Sequence, residues 1–209
     1  KRYIRNMFPK KKYKNIDIFF KDYVDQLNNI KKINLKNLTK ASDLIEKTIK
    51  TKKTIFVCGN GGSAAISNHY LCDYLKLLRT KTKLQPLVQS LSTSLELITA
   101  ISNDISYDEV FSYQAKCLAK KGDIFVLVSS SGNSNNIANV AKFAKKNGNK
   151  IIGFTGFKGG KLKKISDVSL HVPLENYGLS EDSHHILMHV LMQFLRQKYL
   201  TKKIINTKF

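Results

Sequence analysis

Residues 54–63 read TIFVCGNGGS, and this stretch indicates the fold class. Its first five residues are β-branched or apolar without interruption, as in a strand that is buried on both faces. Glycines then end the strand, and Ser63 begins a segment with helical spacing. A buried strand that passes through a glycine-rich turn into a helix is typical of a parallel α/β sheet.

The same pattern recurs along the chain. Further short apolar runs predict strands at 87–91, 124–128, 151–154 and 168–172. Helices are predicted at 16–33, 38–51, 63–78, 108–119, 134–147 and about 179–200. This alternation predicts an α/β fold, a three-layer αβα sandwich around a mostly parallel five-stranded sheet. The two N-terminal helices are expected to pack on the domain or on a neighbouring subunit.

Length and composition predict one domain, residues 16–209, preceded by a basic arm at 1–15. The 209 residues are 42% hydrophobic, enough for one core but short for two. The net charge is +21, but the lysines are scattered along the chain apart from the arm. The charge would therefore attract an anionic substrate, and it does not by itself predict nucleic-acid binding.

The sequence predicts a cytoplasmic protein without a membrane partner. No stretch approaches the roughly 20 apolar residues that a spanning helix needs, and the first residues lack the apolar centre of a secretion signal. Cys58, Cys72 and Cys117 are widely spaced and lie within apolar segments. We expect them to be buried, reduced thiols.

Two predicted strand ends carry similar loops, GNGGS at 59–63 and SSSGNS at 129–134. Each supplies glycines for close backbone approach, hydroxyl groups, and the free N–H groups of a helix start. Because ligands bind beyond the carboxyl ends of parallel strands, the pair predicts a phosphate site. For either loop alone, serine and glycine could simply cap helices and shape turns. Neither loop matches the nucleotide-binding patterns, so we expect no nucleotide cofactor.

Titratable side chains recur at four-residue spacing on two predicted helices. His69 and Asp73 share one face of the first helix, and Glu181, His185 and His189 share one face of the last. Such groups can act as general acid and base, or hold a zinc-like cation. A single histidine on a helix is more often only a hydrogen-bonded surface residue.

Not all polar groups of the last helix can enter one pocket. Asp182, His184 and His185 have weaker claims than their neighbours, because one helix cannot aim all of them at the same point. We expect at least one of them at a subunit interface.

Several motifs occur together in an order that resembles the sugar isomerase family, and within it the phosphoheptose isomerases. They are the two loops, SND at 102–104, TGFKGGKL at 155–162 and the last helix with its histidines. The likeness extends from about residue 15 to residue 200. It implies an enzyme that converts a ketose phosphate such as sedoheptulose 7-phosphate to the aldose phosphate used for surface-polysaccharide heptose. It also implies a homotetramer with active sites between subunits.

The resemblance also implies roles for individual residues. The phosphate would contact Ser129, Ser130, Ser131 and Ser134. The rest of the substrate would be addressed by Asn60, Gly61, Gly62, Ser63, His69, Asp73, Asn103, Asp104 and Glu181. Asp73 and His189 would be catalytic. In some family members the positions of His69, Asp73, Glu181 and His189 bind zinc, one ion per subunit.

Three positions depart from the family pattern. Asp73 stands where the family has glutamate, Glu181 where it has glutamine, and Gly178 where it has aspartate. The shorter Asp73 sets its carboxylate back by about one bond, ~1.5 Å, and a misplacement of ~1 Å can cost about a hundredfold in rate. Two alternatives stay open: a non-catalytic member that binds a sugar phosphate or a replication-initiator protein, and nucleic-acid binding by the surface of net charge +21, including the basic arm.

Overall fold

The computed structural model describes residues 8–9 and 11–200. Most of the predicted basic arm, residues 1–7 and 10, lies outside the described residues, as do residues 201–209. In the described part of the chain, none of the helices has both the length and the apolar character needed to cross a membrane.

Five parallel strands form one sheet in the order β2-β1-β3-β4-β5. Their bounds are β1 Thr54–Cys58, β2 Leu87–Ser90, β3 Ile124–Ser129, β4 Lys150–Thr155 and β5 Val168–His171. All four strand pairings are parallel, which confirms the predicted sheet. All six residues of β3, the central strand, are buried.

Eight α-helices surround the sheet in the described part of the chain. They are α1 Ile16–Leu27, α2 Leu35–Lys50, α3 Gly62–Cys72, α4 Leu95–Asp104, α5 Val110–Leu118, α6 Asn135–Lys146, α7 Gly160–Ile165 and α8 Tyr177–Tyr199. Short 3₁₀ turns cover Asn28–Lys32 and Tyr107–Glu109, and a π-helical turn covers Asp73–Leu78.

Two of these helices, α4 and α7, were not predicted from the sequence. In α4, Ser94 accepts a hydrogen bond from the N–H of Leu97 as an N-cap, and this cap before an apolar repeat was a usable signal. Helix α7 has only six residues, which is too short for helical periodicity to be recognised.

The sheet has a hydrophobic core on each face, which confirms the three-layer sandwich. Alternate residues of β1 point to opposite sides, so Val57 packs with α2, α3 and α8 whereas Phe56 packs with α4, α5 and α6. Helix α1 has no fully buried residue. It is joined to α8 by the Tyr23 hydroxyl, which donates to Asp182 Oδ2 at 2.7 Å.

The expectation of three buried thiols was wrong for two of them. Cys58 on β1 is buried, but Cys72 and Cys117 are exposed, and all three are free. Both exposed cysteines lie in helices whose segments are apolar, and an apolar segment does not by itself reveal which face turns outward.

Candidate active site

The strand order brings the two predicted phosphate loops together. The chain leaves β1 for β2 on one side and later returns to β3 on the other, so the carboxyl ends of β1 and β3 flank the topological switch point of the sheet. A reciprocal amide pair joins the loop after β1 to the first turn of α6. Asn60 Nδ2 donates to Asn136 Oδ1 at 2.9 Å, and Asn136 Nδ2 donates to Asn60 Oδ1 at 3.0 Å.

A polar cavity of about 100 Å³ lies between these loops and the first turns of α8. Its lining residues are Asn60, Ser63, Val128, Ser129, Ser130, Ser131, Ser134, Tyr177 and Glu181. The Ser130 hydroxyl is buried without a hydrogen-bond partner among the described residues. A buried polar group that lacks a partner costs about 1–3 kcal/mol, so this hydroxyl is suited to donate to a bound ligand.

The N-terminus of α6 strengthens the preference of the cavity for an anion. Ser134 occupies the N-cap position, but its side chain does not cap the helix. The hydroxyl is therefore free to contact a ligand together with the N–H groups of the first turn. A helix N-terminus carries a partial positive charge, and this arrangement suits a phosphoryl group.

Gly132 fixes the shape of the loop after β3. Its φ is +66°, and a Cβ atom there would clash with the carbonyl oxygen of Gly159. The N–H of Leu162 donates to the Gly132 carbonyl at 2.9 Å. The TGFKGGKL segment at 155–162 thus supports the serine loop through close backbone contact, which only glycine permits.

Glu181 closes the cavity from the side of α8. Its carboxylate lies directly against Gly62, where a Cβ atom would overlap it. Burial, and then the neighbouring Asp182 carboxylate, raise the pKa of Glu181. The side chain is therefore part of the cavity wall beside the glycine loop.

A second polar group, the histidine cluster, consists of His69, Asp73, His185 and His189. His69 Nδ1 lies 2.8 Å from His185 Nε2. His69 Nε2 lies 3.3 Å from Asp73 Oδ1, and His189 Nε2 lies 3.5 Å from Asp73 Oδ2. Each helix contributes one pair at four-residue spacing, so the two predicted faces do meet.

Asp73 is the inner member of this cluster. It begins the π-helical turn, a local widening of the helix that is frequent at functional sites. Its side chain is 3% exposed, whereas those of His69 and His189 are 42% and 38% exposed. Oδ2 is buried and makes no hydrogen bond to any described residue, because the 3.5 Å to His189 is too long for one.

His185 belongs to this cluster, although its claim from the sequence was weaker than those of its neighbours on the helix. Burial, and then the charges of His69 and His189, lower the pKa of His185. The available signal was its position midway between Glu181 and His189, on the same helical face.

The neighbours of His185 point elsewhere. The ring of His184 is fully buried and packs edge-on against Phe154, with ring centroids 6.0 Å apart. Burial lowers the pKa of His184 to about 4, so this imidazole is neutral. Asp182 accepts the hydrogen bond from Tyr23 on α1.

Two residues expected near the sugar do not line the cavity. Asn103 and Asp104 are exposed at the end of α4, where Asn103 Nδ2 donates to Asp104 Oδ1 at 2.8 Å. Two tyrosines were missed instead. Tyr177 lines the cavity, and the Tyr107 hydroxyl donates to Asn60 Oδ1 at 2.9 Å. No periodic signal in the sequence marks either tyrosine.

The histidine cluster has the donor chemistry of a zinc-type site. Nitrogen atoms of His69, His185 and His189 lie within 4.8 Å of one another, and neutral imidazole is a preferred ligand of zinc and similar ions. The unpartnered Asp73 Oδ2 adds a negative group beside them. These residues therefore fit a divalent cation.

Comparison with known proteins gives a consistent result. A family model described as the SIS domain matches residues 18–156. The chain is 38% identical to a phosphoheptose isomerase of Aliarcobacter butzleri over 158 residues, 76% of this chain and 83% of that protein. It is 32% identical to a phosphoheptose isomerase of Helicobacter pylori over 189 residues, 89% of this chain and 98% of that protein.

A solved structure agrees in fold. The phosphoheptose isomerase of Neisseria gonorrhoeae superposes with a TM-score of 0.79 at 29% identity. The superposition covers 87% of this chain and 96% of that one.

Proposed function

We propose a reaction for this chain on the premise that it belongs to the SIS domain family and, within it, to the phosphoheptose isomerases. The chain is an aldose–ketose isomerase that converts sedoheptulose 7-phosphate to D-glycero-D-manno-heptose 7-phosphate. The product would serve the synthesis of surface-polysaccharide heptose. The observation that carries the proposal is the serine-lined cavity together with a cluster of acid and base groups that lies one to two helical turns further along α8.

The cavity is assigned to the phosphate. Ser129, Ser130, Ser131 and Ser134 line it together with the N-terminus of α6, and these donors suit a phosphoryl group. Asn60 and Ser63 line the opposite wall. The expected roles of Gly61, Gly62, Asn103 and Asp104 in sugar binding remain part of the proposal.

The distance between the serine-lined cavity and the histidine cluster suits a substrate as long as a seven-carbon sugar phosphate. From Glu181 at the cavity to His189 in the cluster, α8 rises ~12 Å, at ~1.5 Å per residue. An extended seven-carbon chain spans eight bonds between C1 and phosphorus, roughly 10 Å after allowing for the zigzag of ~1.5 Å bonds. A substrate held by its phosphate in the cavity would therefore bring its first carbons to the cluster.

Proton transfer is assigned to Asp73 and His189. The reaction removes a proton from C1 of the ketose and forms an enediol, and a proton then returns to C2 while the hydroxyl proton moves from O1 to O2. The ring of His189 is accessible, and the buried Asp73 carboxylate lies behind it at 3.5 Å. The negative carboxylate would stabilise the charged form of the imidazole during the transfer.

A divalent cation of the zinc type is a further part of the proposal, with one ion per subunit. His69, Asp73 and His189 from the expected ligand set lie together in the histidine cluster. A cation held there would polarise the substrate oxygen next to the reacting carbon.

We also propose a homotetramer in which a second copy completes the active site. Helix α8 presents Ile186, Val190 and Phe194 on its outer face, and these side chains are 38%, 44% and 50% exposed. Their four-residue spacing makes a continuous apolar stripe on the helix that also carries His185 and His189.

Solvent proton exchange tests the reaction directly. Sedoheptulose 7-phosphate incubated with the protein in D₂O should gain deuterium at the exchanging carbon and form the aldose, both visible by NMR. Fructose 6-phosphate, one carbon shorter, is the matched control and should exchange more slowly. If none of several sugar phosphates exchanges or forms product, the isomerase assignment is rejected.

The same experiment addresses the non-catalytic alternative. A protein that only senses a sugar phosphate would gain thermal stability from the ligand without exchange. The relatives reported above are named as isomerases, which does not favour that alternative.

A further inference from the structure

We infer that the cation site of this chain is a three-imidazole site formed by His69, His185 and His189, and that Glu181 lies outside it. The inference deepens the proposed function, since it names the residues that hold the cation considered there. It assigns a role to His185, which departs from the ligand set that the family resemblance implies.

The geometry of the three rings supports this set. His69 Nδ1 and His185 Nε2 are already 2.8 Å apart, and one nitrogen from each ring lies within 4.8 Å of the others. Two nitrogens on a tetrahedral zinc ion lie roughly 3.4 Å apart, since each is ~2.0–2.1 Å from the metal. The observed spacings bracket that value, so small side-chain rotations suffice.

Asp73 prepares His69 for such a role. Its Oδ1 faces His69 Nε2 at 3.3 Å, which favours the proton on that nitrogen and leaves the Nδ1 lone pair directed at His185. A carboxylate behind a ligating imidazole is a common arrangement in metal sites, because it fixes the tautomer and orients the ring. Asp73 also brings negative charge to a site that otherwise consists of neutral ligands.

Glu181 is held in a different place. Its carboxylate presses against Gly62 and lines the serine cavity, one helical turn before His185. It is absent from the group of converging ligand atoms among the described residues.

Zinc binding by matched variants tests the inference. Metal-stripped protein is titrated with Zn²⁺ by calorimetry and with Co²⁺ by visible absorption, which reports the coordination geometry. The variants are His185→Phe, which keeps a ring but removes both nitrogens, and Glu181→Leu, which keeps a side chain of similar size but removes both ligand oxygens one turn away. Loss of a residue behind a ligand costs about 10–100-fold in affinity, so loss of a direct ligand should cost about a hundredfold or more.

The expected result is one Zn²⁺ per chain, a large loss of affinity in His185→Phe and almost none in Glu181→Leu. Equal losses in both variants, a loss confined to Glu181→Leu, or no zinc uptake by the wild type would each overturn the inference. X-ray absorption at the zinc edge of the loaded wild type counts imidazole ligands without any substitution. Three imidazoles support the inference, and two overturn it.

Proton exchange on the substrate is measured separately, on metal-stripped and zinc-loaded protein. The proposed cation ligands can then be rejected while the isomerase activity is confirmed, or confirmed while the activity is rejected. His189 is both a proposed cation ligand and a proposed catalytic residue, so a measurement of activity alone could not distinguish the two proposals.

Discussion

Substitution of Gly62 by alanine should displace Glu181 and impair catalysis while leaving the fold intact. The added Cβ would lie 2.6 Å from Oε1 of Glu181 and closer still to Oε2. An ordinary contact needs about 3.5 Å, so the carboxylate must retreat by about 1 Å. It can do so, because the obstructing atoms are the far end of a flexible side chain.

The expected loss of catalytic activity follows from that displacement of the Glu181 carboxylate. A shift of ~1 Å in a positioned group can lower the rate about a hundredfold, so we expect kcat/KM for sedoheptulose 7-phosphate to fall by about ten- to a hundredfold. Stability should barely change or rise slightly, because alanine is favoured over glycine in a helix by up to ~1 kcal/mol. Turnover is measured by NMR and stability by thermal unfolding.

A double-mutant cycle shows whether the effect acts through Glu181. Glu181→Ala removes the obstructed carboxylate, so adding Gly62→Ala to it should cause little further loss. The coupling energy should then approach the whole effect of Gly62→Ala, about 1.4–2.7 kcal/mol for ten- to a hundredfold. Wild-type turnover in Gly62→Ala, or strictly additive losses, would refute the contact as the cause.

Three other substitutions test separate parts of the structure. Asp73→Asn removes the carboxylate behind His189 and should lower the deuterium exchange rate by about 10²–10⁴-fold, the usual contribution of acid–base catalysis. Ser130→Ala removes a buried hydroxyl without a partner, so it should raise KM in steady-state kinetics without lowering the melting temperature. Hydrogen bonds from Lys198, Lys50 and Tyr199 lower the pKa of Glu46 from its ordinary value of 4.5 to about 2. The resulting stabilisation is fully present above the unfolded pKa and is lost as the pH falls toward 2. Both lysines are about half exposed, so solvent screening reduces this stabilisation of the folded state to ~1–2 kcal/mol. Glu46→Gln should flatten the dependence of the unfolding free energy on pH over that range, and an unchanged slope in acid unfolding curves would contradict it.

Local sequence signals account for most of the fold. A continuously apolar strand can be recognised because it is buried on both faces, and β3 is buried along its whole length. The glycine and serine loops follow such strands directly, so their place at the carboxyl edge of the sheet also follows from the sequence. The short helix α7 and the outward faces of Cys72 and Cys117 could not be obtained in this way, because no local pattern distinguishes them.

The sequence by itself determined which side chains share a helical face, because the helical repeat is a property of the backbone. It therefore predicted the pairing of His69 with Asp73 and the common face of Glu181, His185 and His189. Only the tertiary structure decided which part of that face meets α3. The rotation of α8 is set by the packing of its buried apolar side chains on the sheet, and that packing directs His185 into the histidine cluster and leaves Glu181 against Gly62.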